Sequence, residues 1–347
     1  MTDQVTLRPM TDDDGEAVRH LMEDDPPGQG MRMTTRFLVN PVVAWRTLKP
    51  DMTGVVAVAP DDGRVVGVAS VSFEDVLYNG QVVPSAFLGN LKVHHDFRRQ
   101  GIAKALAAWR VRTAEERIGP YGVILTGTSK DNVASQNTMK TWGAELHDQQ
   151  MLRPRPPIHR QPTTAGLRVI APEPTHDEEI IEKANRFYAD YQLYTPLTPR
   201  RLAEIRDSGA PVAHYRIVTD GGGAVVAGIM LSLRGLLMVE DVSNVPPPLR
   251  VMNVFLRVLP SDGRIRLCEA AYLWYDNPDA ARLLWQHIRW EFRDRASAFG
   301  YPLDPRSPLI DLFNFKPWHV PIVNLVIATR GPQPMDVSKY ICGTLRG

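Results

Sequence analysis

The first 150 residues alternate between short apolar runs, which predict strands, and longer stretches with apolar residues three or four positions apart, which predict helices. The predicted order is β-α-α-β-β-β-α-β-α. Two β-branched runs, at 54–60 and 64–76, are joined by a Pro-Asp-Asp-Gly turn, which predicts a hairpin. Residues 25–35 are predicted to form a loop, and the chain after Pro41 a helix.

A predicted strand at 85–93 is followed by a predicted helix from about Gly101 to Ile118. The residues expected on the buried face of this helix are Ile102, Ala105, Leu106, Ala108 and Trp109. A further strand is predicted at 121–129, and then a short helix at 132–143. The strand-turn-helix unit around residue 98 is therefore the clearest local prediction in this half.

A proline-rich, basic stretch at 151–166 interrupts the pattern, because prolines fix φ and remove backbone donors. We predict a domain at 1–150, a linker at 151–166 and a second domain at 167–347. The second domain repeats a similar order of elements, including a strand pair around Gly221–Gly223 and a long helix opening at Asn277-Pro278. This similarity indicates a duplication, although few residues are shared.

Composition narrows the functional classes. The chain has 347 residues, 44% of them hydrophobic, which predicts packed domains. Its net charge of +1 argues against nucleic acid as a binding partner. The only cysteines, Cys268 and Cys342, cannot build a disulfide framework or a cysteine-rich zinc site, and no metal is expected. We find no signal peptide and no long apolar segment. The expectation is a cytoplasmic protein without a membrane partner.

The chemistry is concentrated where the strand at 85–93 gives way to the next helix. Residues 98–103 read Arg-Arg-Gln-Gly-Ile-Ala. A helix N-terminus presents unpaired N–H groups and a partial positive charge. A glycine and a small residue allow close approach of the backbone to phosphates, and arginines add charge-assisted hydrogen bonds. This combination favours a pyrophosphate site, whereas the plain alternative is an ordinary connecting turn.

The stretch resembles the signature of the GNAT superfamily of CoA-dependent N-acyltransferases, Arg/Gln-x-x-Gly-x-Gly/Ala. Asn132, and Gly143 eleven residues later, match the family's last helix, so the resemblance covers about residues 5–150. It implies an α/β (α+β) fold of two GNAT-like domains, each a mixed, mostly antiparallel sheet flanked by helices, with the second degenerate. It also implies acetyl-CoA or another acyl-CoA as co-substrate. The residues implied to bind it are Leu91, Val93, Arg98, Arg99, Gln100, Gly101, Ile102, Ala103 and Asn132.

The sequence departs from the family where proton transfer is expected. Met139 stands where many members have a tyrosine that protonates the CoA thiolate, and a thioether donates no proton. The strand at 85–93 also lacks the glutamate that many members use as a base. The candidate replacements are Ser135, Glu74 and Asp75, each of which could equally be an ordinary helix-start or strand-end polar residue.

The resemblance implies an acceptor site near the first two helices. Glu23, Asp24 and Asp25 form an acidic cluster suited to an amine, or alternatively a solvated turn, and Asn90 lies on the strand edge expected to position the thioester. The expected reaction is acyl transfer, most simply of acetyl, to a primary amine of a small molecule by direct attack in a ternary complex. Two alternatives remain: a non-catalytic acyl-CoA-binding or regulatory protein, and a tandem GNAT-fold aminoacyl transferase using charged tRNA. A homo-oligomer is also left open.

Overall fold

The computed structural model describes residues 5–24, 32–207, 212–248, 251, 253, 259–313 and 323–342. Its helices are α1 (Gly15–Glu23), α2 (Pro41–Leu48), α3 (Ile102–Ile118), α4 (Val133–Lys140), α5 (Asp177–Phe187), α6 (Pro199–Asp207), α7 (Pro278–Glu291) and α8 (Leu309–Leu312). Its strands are β1 (Thr6–Pro9), β2 (Arg32–Phe37), β3 (Met52–Val58), β4 (Val65–Tyr78), β5 (Gln81–Val93), β6 (Val123–Ser129), β7 (Glu145–Arg155), β8 (Arg168–Ile170), β9 (Tyr191–Gln192), β10 (Ala213–Thr219), β11 (Val225–Ser232), β12 (Met238–Ser243), β13 (Arg264–Ile265), β14 (Leu267–Tyr275), β15 (Ala298–Leu303), β16 (Val323–Arg330) and β17 (Tyr340–Ile341).

Twelve of these strands form one mixed sheet, in the order β1-β3-β4-β5-β6-β16-β7-β15-β14-β11-β10-β8. The pairs β5–β6 and β14–β15 are parallel, and the other pairs in this sheet are antiparallel. Helices pack against the sheet in both halves. The predicted fold class, α/β with mixed and mostly antiparallel strands flanked by helices, is confirmed.

The two halves exchange strands at the middle of the sheet. β16, from the carboxyl-terminal part of the chain, lies between β6 and β7 and pairs with both. β7 also pairs with β15 of the second half, and it extends through Arg155, five residues into the segment predicted as a linker. Val326, Ile327 and Ala328 of β16 are buried. The sheet of the first half is therefore completed by a strand more than 170 residues away in sequence.

The predicted loop at 25–35 is partly wrong, because residues 32–37 form strand β2. β2 pairs along its whole length with β12 of the second half, and the Thr35 hydroxyl donates to a carboxylate oxygen of Glu240 at 2.9 Å. A partner that lies about 200 residues away leaves no local signal in the sequence. Residues 25–31 are outside the described part of the chain.

Helix α3 packs on β4 and β5 through a stripe of residues four positions apart. Two residues predicted on its buried face, Ala105 and Ala108, are exposed, so that part of the prediction is wrong. The buried positions are Ile102, Leu106, Ala107, Arg110, Ala114 and Ile118. The prediction assumed that buried residues recur at both three- and four-residue spacings. In the structure the buried residues of α3 follow mainly a four-residue spacing, which leaves Ala105 and Ala108 exposed. This spacing also buries a charged side chain, that of Arg110.

Candidate active site

A cleft opens where the neighbouring parallel strands β5 and β6 diverge. The two strands pair only over Ser85–Phe87 and Val123–Leu125. Beyond this short ladder their facing edges separate and enclose a cavity of about 630 Å³. Two parallel strands that part in this way leave backbone donors and acceptors lining a groove instead of pairing with each other. We call this cavity the cleft.

A β-bulge shapes the wall of the cleft that β5 provides. Ser70 pairs with Gly89 whereas Val68 pairs with Lys92, so β5 supplies one more residue than β4 between these points. Asn90 lies in the bulge with φ of 50°, and its side-chain Nδ2 atom donates to the Ser70 hydroxyl at 3.0 Å. Asparagine tolerates the left-handed region better than other side chains with a Cβ. The bulge redirects the backbone of β5 into the cleft.

The outer end of the cleft meets the N-terminus of α3. Arg99 and Gly101 both have positive φ, 66° and 83°, on either side of Gln100, and Gly101 is the N-cap of the helix. Such a turn directs successive N–H groups towards one point. The first amide with a helical acceptor is that of Ala105, which donates to Gly101 at 3.0 Å. The amides of the preceding helical residues therefore have no acceptor within the helix and carry its positive end.

Six residues predicted to bind CoA or substrate and one predicted catalytic residue line the cleft: Asn90, Leu91, Val93, Arg98, Ala103 and Asn132, and the catalytic candidate Ser135. Arg99, Gln100 and Gly101 are exposed in the turn just outside it, and the Ile102 side chain is buried beneath the helix. The Arg98 Nε atom donates to the Val93 carbonyl at 3.4 Å, which holds this side chain along the end of β5. Hydrogen-bond donors suited to phosphate oxygens therefore lie at the outer end of the cleft, and the edges of the two strands line the rest of its length.

Helix α4 forms the opposite wall. The Asn132 side chain caps this helix by accepting from the Ser135 amide at 3.1 Å. Met139, one turn further on, is buried and also lines the cleft. Its thioether provides no acidic proton. Ser135, by contrast, brings a hydroxyl to the cleft wall.

The other two candidate proton-transfer groups lie elsewhere. A Glu74 carboxylate oxygen accepts from the Thr195 hydroxyl at 2.7 Å, so Glu74 contacts the second half of the chain. Asp75 is exposed on β4. Neither residue lines the cleft. The structure thus brings Ser135, but not these carboxylates, to the place where the strands diverge.

The acidic cluster at the end of α1 is engaged by neighbouring side chains. Glu23 accepts from the Phe37 amide at 3.0 Å and lies within 4 Å of Arg19 and Arg36. Asp24 contacts the His95 Nδ1 atom at 2.9 Å and the His94 Nε2 atom at 3.4 Å. Asp25 is outside the described residues.

Asp24, His94 and His95 are close enough together to hold a metal ion, since their ligand atoms all lie within 4.8 Å of one another. Asp24 ends α1, whereas His94 and His95 lie in the turn between β5 and α3, where their imidazole rings stack at 4.4 Å. The His95 Nδ1 atom is within hydrogen-bond distance of Asp24, and the His94 Nε2 atom lies slightly farther away.

Sequence reasoning missed a charged side chain inside the cleft. Arg110, on the buried stripe of α3, lines the cleft and is only 7% exposed. Its Nη1 atom donates to the Gly89 carbonyl at 3.3 Å, immediately before the bulge. Burial lowers the pKa of Arg110 to about 10, so it stays protonated at neutral pH. Arg110 lies four residues after Leu106 and eight after Ile102. This spacing could have predicted its burial on the same face of α3.

The second half has a matching bulge, but among the described residues no cavity as large as the cleft opens beside it. Its β14 carries Tyr272 with φ of 53° at a matching register shift, next to the parallel pair β14–β15. The Tyr188 hydroxyl donates to the Leu273 carbonyl at 2.7 Å, and the Tyr301 hydroxyl accepts from the Leu273 amide at 3.0 Å. The cavity beside these tyrosines measures about 10 Å³. Tyrosine side chains therefore occupy the space that is open in the first half.

The helix that follows this second bulge is also closed to an anion. Asn277 caps α7, and its side-chain oxygen accepts from the Asp279 amide at 2.9 Å. Asp279 places a carboxylate in the first turn. An occupied cap and a negative charge both oppose phosphate binding.

Comparison with known proteins agrees with this geometry. Residues 16–144 match the model of the Acetyltransferase (GNAT) family. The fold is similar to that of Saccharomyces cerevisiae N-myristoyltransferase with bound myristoyl-CoA, with a TM-score of 0.64 and 14% identity over 95% of this chain and 83% of that one. It is also similar to a GCN5-related N-acetyltransferase from Sphaerobacter thermophilus, with a TM-score of 0.59 and 15% identity over 98% and 99% of the two chains. No protein of curated function matches by sequence.

Within the described residues, no helix is both long and apolar enough to cross a membrane. Three observations agree in placing the binding cleft in the first half. Residues 16–144 match the family model, the cleft is open there, and tyrosines fill the space beside the matching bulge of the second half. Residues 16–144 are thus similar to the Acetyltransferase (GNAT) family, and the chain as a whole has a fold similar to that of N-myristoyltransferase.

Proposed function

We propose that the protein transfers a short acyl group, in the simplest case acetyl, from acyl-CoA to a primary amine of a small molecule. The observation that carries this proposal is the cleft itself. It is about 630 Å³ in volume and runs from the free N-terminus of α3 to the point where β5 and β6 part. Its outer end offers hydrogen-bond donors that suit the pyrophosphate of CoA. The unpaired strand edges along its length suit the amide-rich pantetheine arm.

In this proposal the amides of residues 101–104 and the Arg98 and Arg99 side chains hold the pyrophosphate. The pantetheine arm lies along Leu91–Val93, and the bulge at Asn90 positions the thioester carbonyl. A neutral amine then attacks the carbonyl carbon, the C–N bond forms, and the C–S bond breaks with CoA thiolate leaving. Orientation in a ternary complex supplies much of the rate enhancement.

One net proton transfer remains to be placed in this reaction. The attacking nitrogen loses a proton as the C–N bond forms, and the departing CoA thiolate gains one, so a proton moves from nitrogen to sulfur. Among the predicted candidates Ser135 is the one that lines the cleft, so we assign it the relay of a proton to the thiolate through water. A general acid of this kind contributes roughly 10²–10⁴-fold. A Ser135→Ala variant is expected to lose at least about tenfold in kcat with unchanged CoA affinity.

The first test combines CoA release from acetyl-CoA across a panel of amines with calorimetric titration of CoA. Gly101→Glu is expected to weaken CoA binding by about tenfold or more, because it places a carboxylate beside the pyrophosphate, and each 1.4 kcal/mol is a factor of ten. Gly63→Glu is the matched control, since Gly63 also has positive φ, 69°, and open space around its Cβ direction but lies in the β3–β4 hairpin.

Three outcomes separate the hypotheses. Turnover and binding that are both lost in Gly101→Glu and kept in Gly63→Glu support the proposal. CoA binding without release for any amine would favour an acyl-CoA-binding protein, the reading that Met139 in place of a tyrosine supports. Equal binding by the wild type and Gly101→Glu would contradict the pyrophosphate assignment.

A further inference from the structure

We propose that the cleft selects acyl-CoA molecules whose acyl chain ends in a carboxylate, and that Arg110 binds this carboxylate. The inference rests on the proposed function and specifies its acyl donor. It depends on an uncompensated guanidinium placed at the inner end of the cleft.

Among the residues that the structure describes, none supplies an anionic partner for the charge of Arg110. Its one hydrogen bond among the described residues is to the Gly89 carbonyl at 3.3 Å, and its solvent-inaccessible Nε atom has none. No carboxylate of the described residues lies within 4 Å of it, and burial alone accounts for its lowered pKa. Burying a cation without an anion is costly, so such side chains are normally paired. A guanidinium with free donors facing a cavity is suited to a ligand carboxylate.

The position of Arg110 along the cleft selects the end of the acyl chain rather than CoA itself. Arg98 contacts Val93 at the outer end of β5, whereas Arg110 contacts Gly89, four residues further in. At about 3.3 Å per residue, these contacts would lie at most roughly 13 Å apart along a regular strand, and the bulge shortens this span. The bulge at Asn90 lies between them, and the cleft closes just beyond Gly89, where Phe87 pairs with Leu125. With the thioester at the bulge, the acyl chain points towards Arg110.

The other side chains at this inner end do not supply the missing charge. Phe87, Leu88 and Met139 are apolar, and the Thr126 hydroxyl donates to the Leu88 carbonyl at 2.6 Å. A purely alkyl acyl group would leave the guanidinium buried and unpaired. A carboxylate would accept from its free N–H groups and neutralise it.

The test is calorimetric titration of the full chain with stable thioether analogues of CoA. S-(2-carboxyethyl)-CoA and S-(3-carboxypropyl)-CoA imitate malonyl and succinyl chains, and S-propyl-CoA and S-butyl-CoA are their uncharged counterparts. At one of the two lengths, the carboxylate analogue is expected to bind about 30-fold or more tightly than its alkyl counterpart. Arg110→Met should remove this preference and leave the affinity for CoA unchanged. Arg112→Met, an exposed arginine on the same helix, should retain the preference.

Two results would overturn the inference alone: no preference for the carboxylate at either length in the wild type, or an equal loss of all ligands, CoA included, in Arg110→Met. The second result would indicate that Arg110 supports the bulge through Gly89. Failure of CoA itself to bind would instead refute the proposed function, and the inference with it. The wild-type comparison decides the matter even if a variant does not fold.

Discussion

The exchange of strands between the halves makes a quantitative prediction about β16. Ile327 is 3% exposed and packs in a cluster with Val76, Phe87, Val123 and Leu125 of the first half. Replacing a buried isoleucine by alanine costs about 2–5 kcal/mol, from lost burial and from the cavity that remains. We therefore expect Ile327→Ala to lower the free energy of unfolding by this amount, although the residue lies in the last third of the chain.

The measurement is urea unfolding of the full chain, followed by far-UV circular dichroism and tryptophan fluorescence. Natural domains have a total stability of roughly 5–15 kcal/mol, so the expected loss is a large share of it. Val337→Ala is the control, because Val337 is 56% exposed in the same part of the chain and should change stability by no more than about 0.5 kcal/mol. If Ile327→Ala changed stability as little as Val337→Ala, β16 would not be part of the first half's core.

Three further predictions can be checked with the same methods. A fragment of residues 1–166 lacks β16 and should show no cooperative urea transition by circular dichroism, whereas a sharp transition would establish an independent first domain. Gly101→Ala adds a Cβ at φ of 83° and should cost about 1–2 kcal/mol in unfolding free energy; no loss would exclude the left-handed turn. Burial lowers the pKa of His147 below its ordinary value of about 6.5, so its contribution is present above that pH and is lost as pH falls towards the folded-state pKa. His147→Gln should therefore reduce the stability lost between pH 7.5 and 5.5, and an unchanged pH dependence would contradict this.

The parts of the fold that the sequence predicts are those that local rules determine. The β3–β4 hairpin, strand β5 and helix α3 follow from apolar spacing, a turn sequence and a glycine N-cap within about 60 residues. The turn at 98–103 was predicted for the same reason, since its chemistry depends on neighbouring residues. These hairpin, turn and helix units form from neighbouring residues and need no information from distant parts of the chain.

The parts that the sequence does not predict depend on distant partners. The short strand β2 forms its ladder hydrogen bonds with β12, and β16 lies between β6 and β7. Neither position in the fold can be predicted from a local sequence pattern. The filled second cleft is similar, because Tyr188 and Tyr301 meet the Leu273 backbone from different elements. Arg110 was missed although it could have been predicted, because it continues the four-residue spacing of Ile102 and Leu106 on α3, and arginine is rarely buried without a partner.

The two copies of the bulge show what separates a binding site from a structural element on one fold. In the first half the helix N-terminus is capped by a glycine and the cleft is open, whereas in the second Asn277 caps the helix and two tyrosines fill the space. The closed half still determines the site, because β6 pairs with β5 over only three residues and with β16 over six. The separation of β5 and β6, and therefore the width of the cleft, is held by a strand that the second half supplies. A change in that strand should alter CoA affinity without touching any residue that lines the cleft.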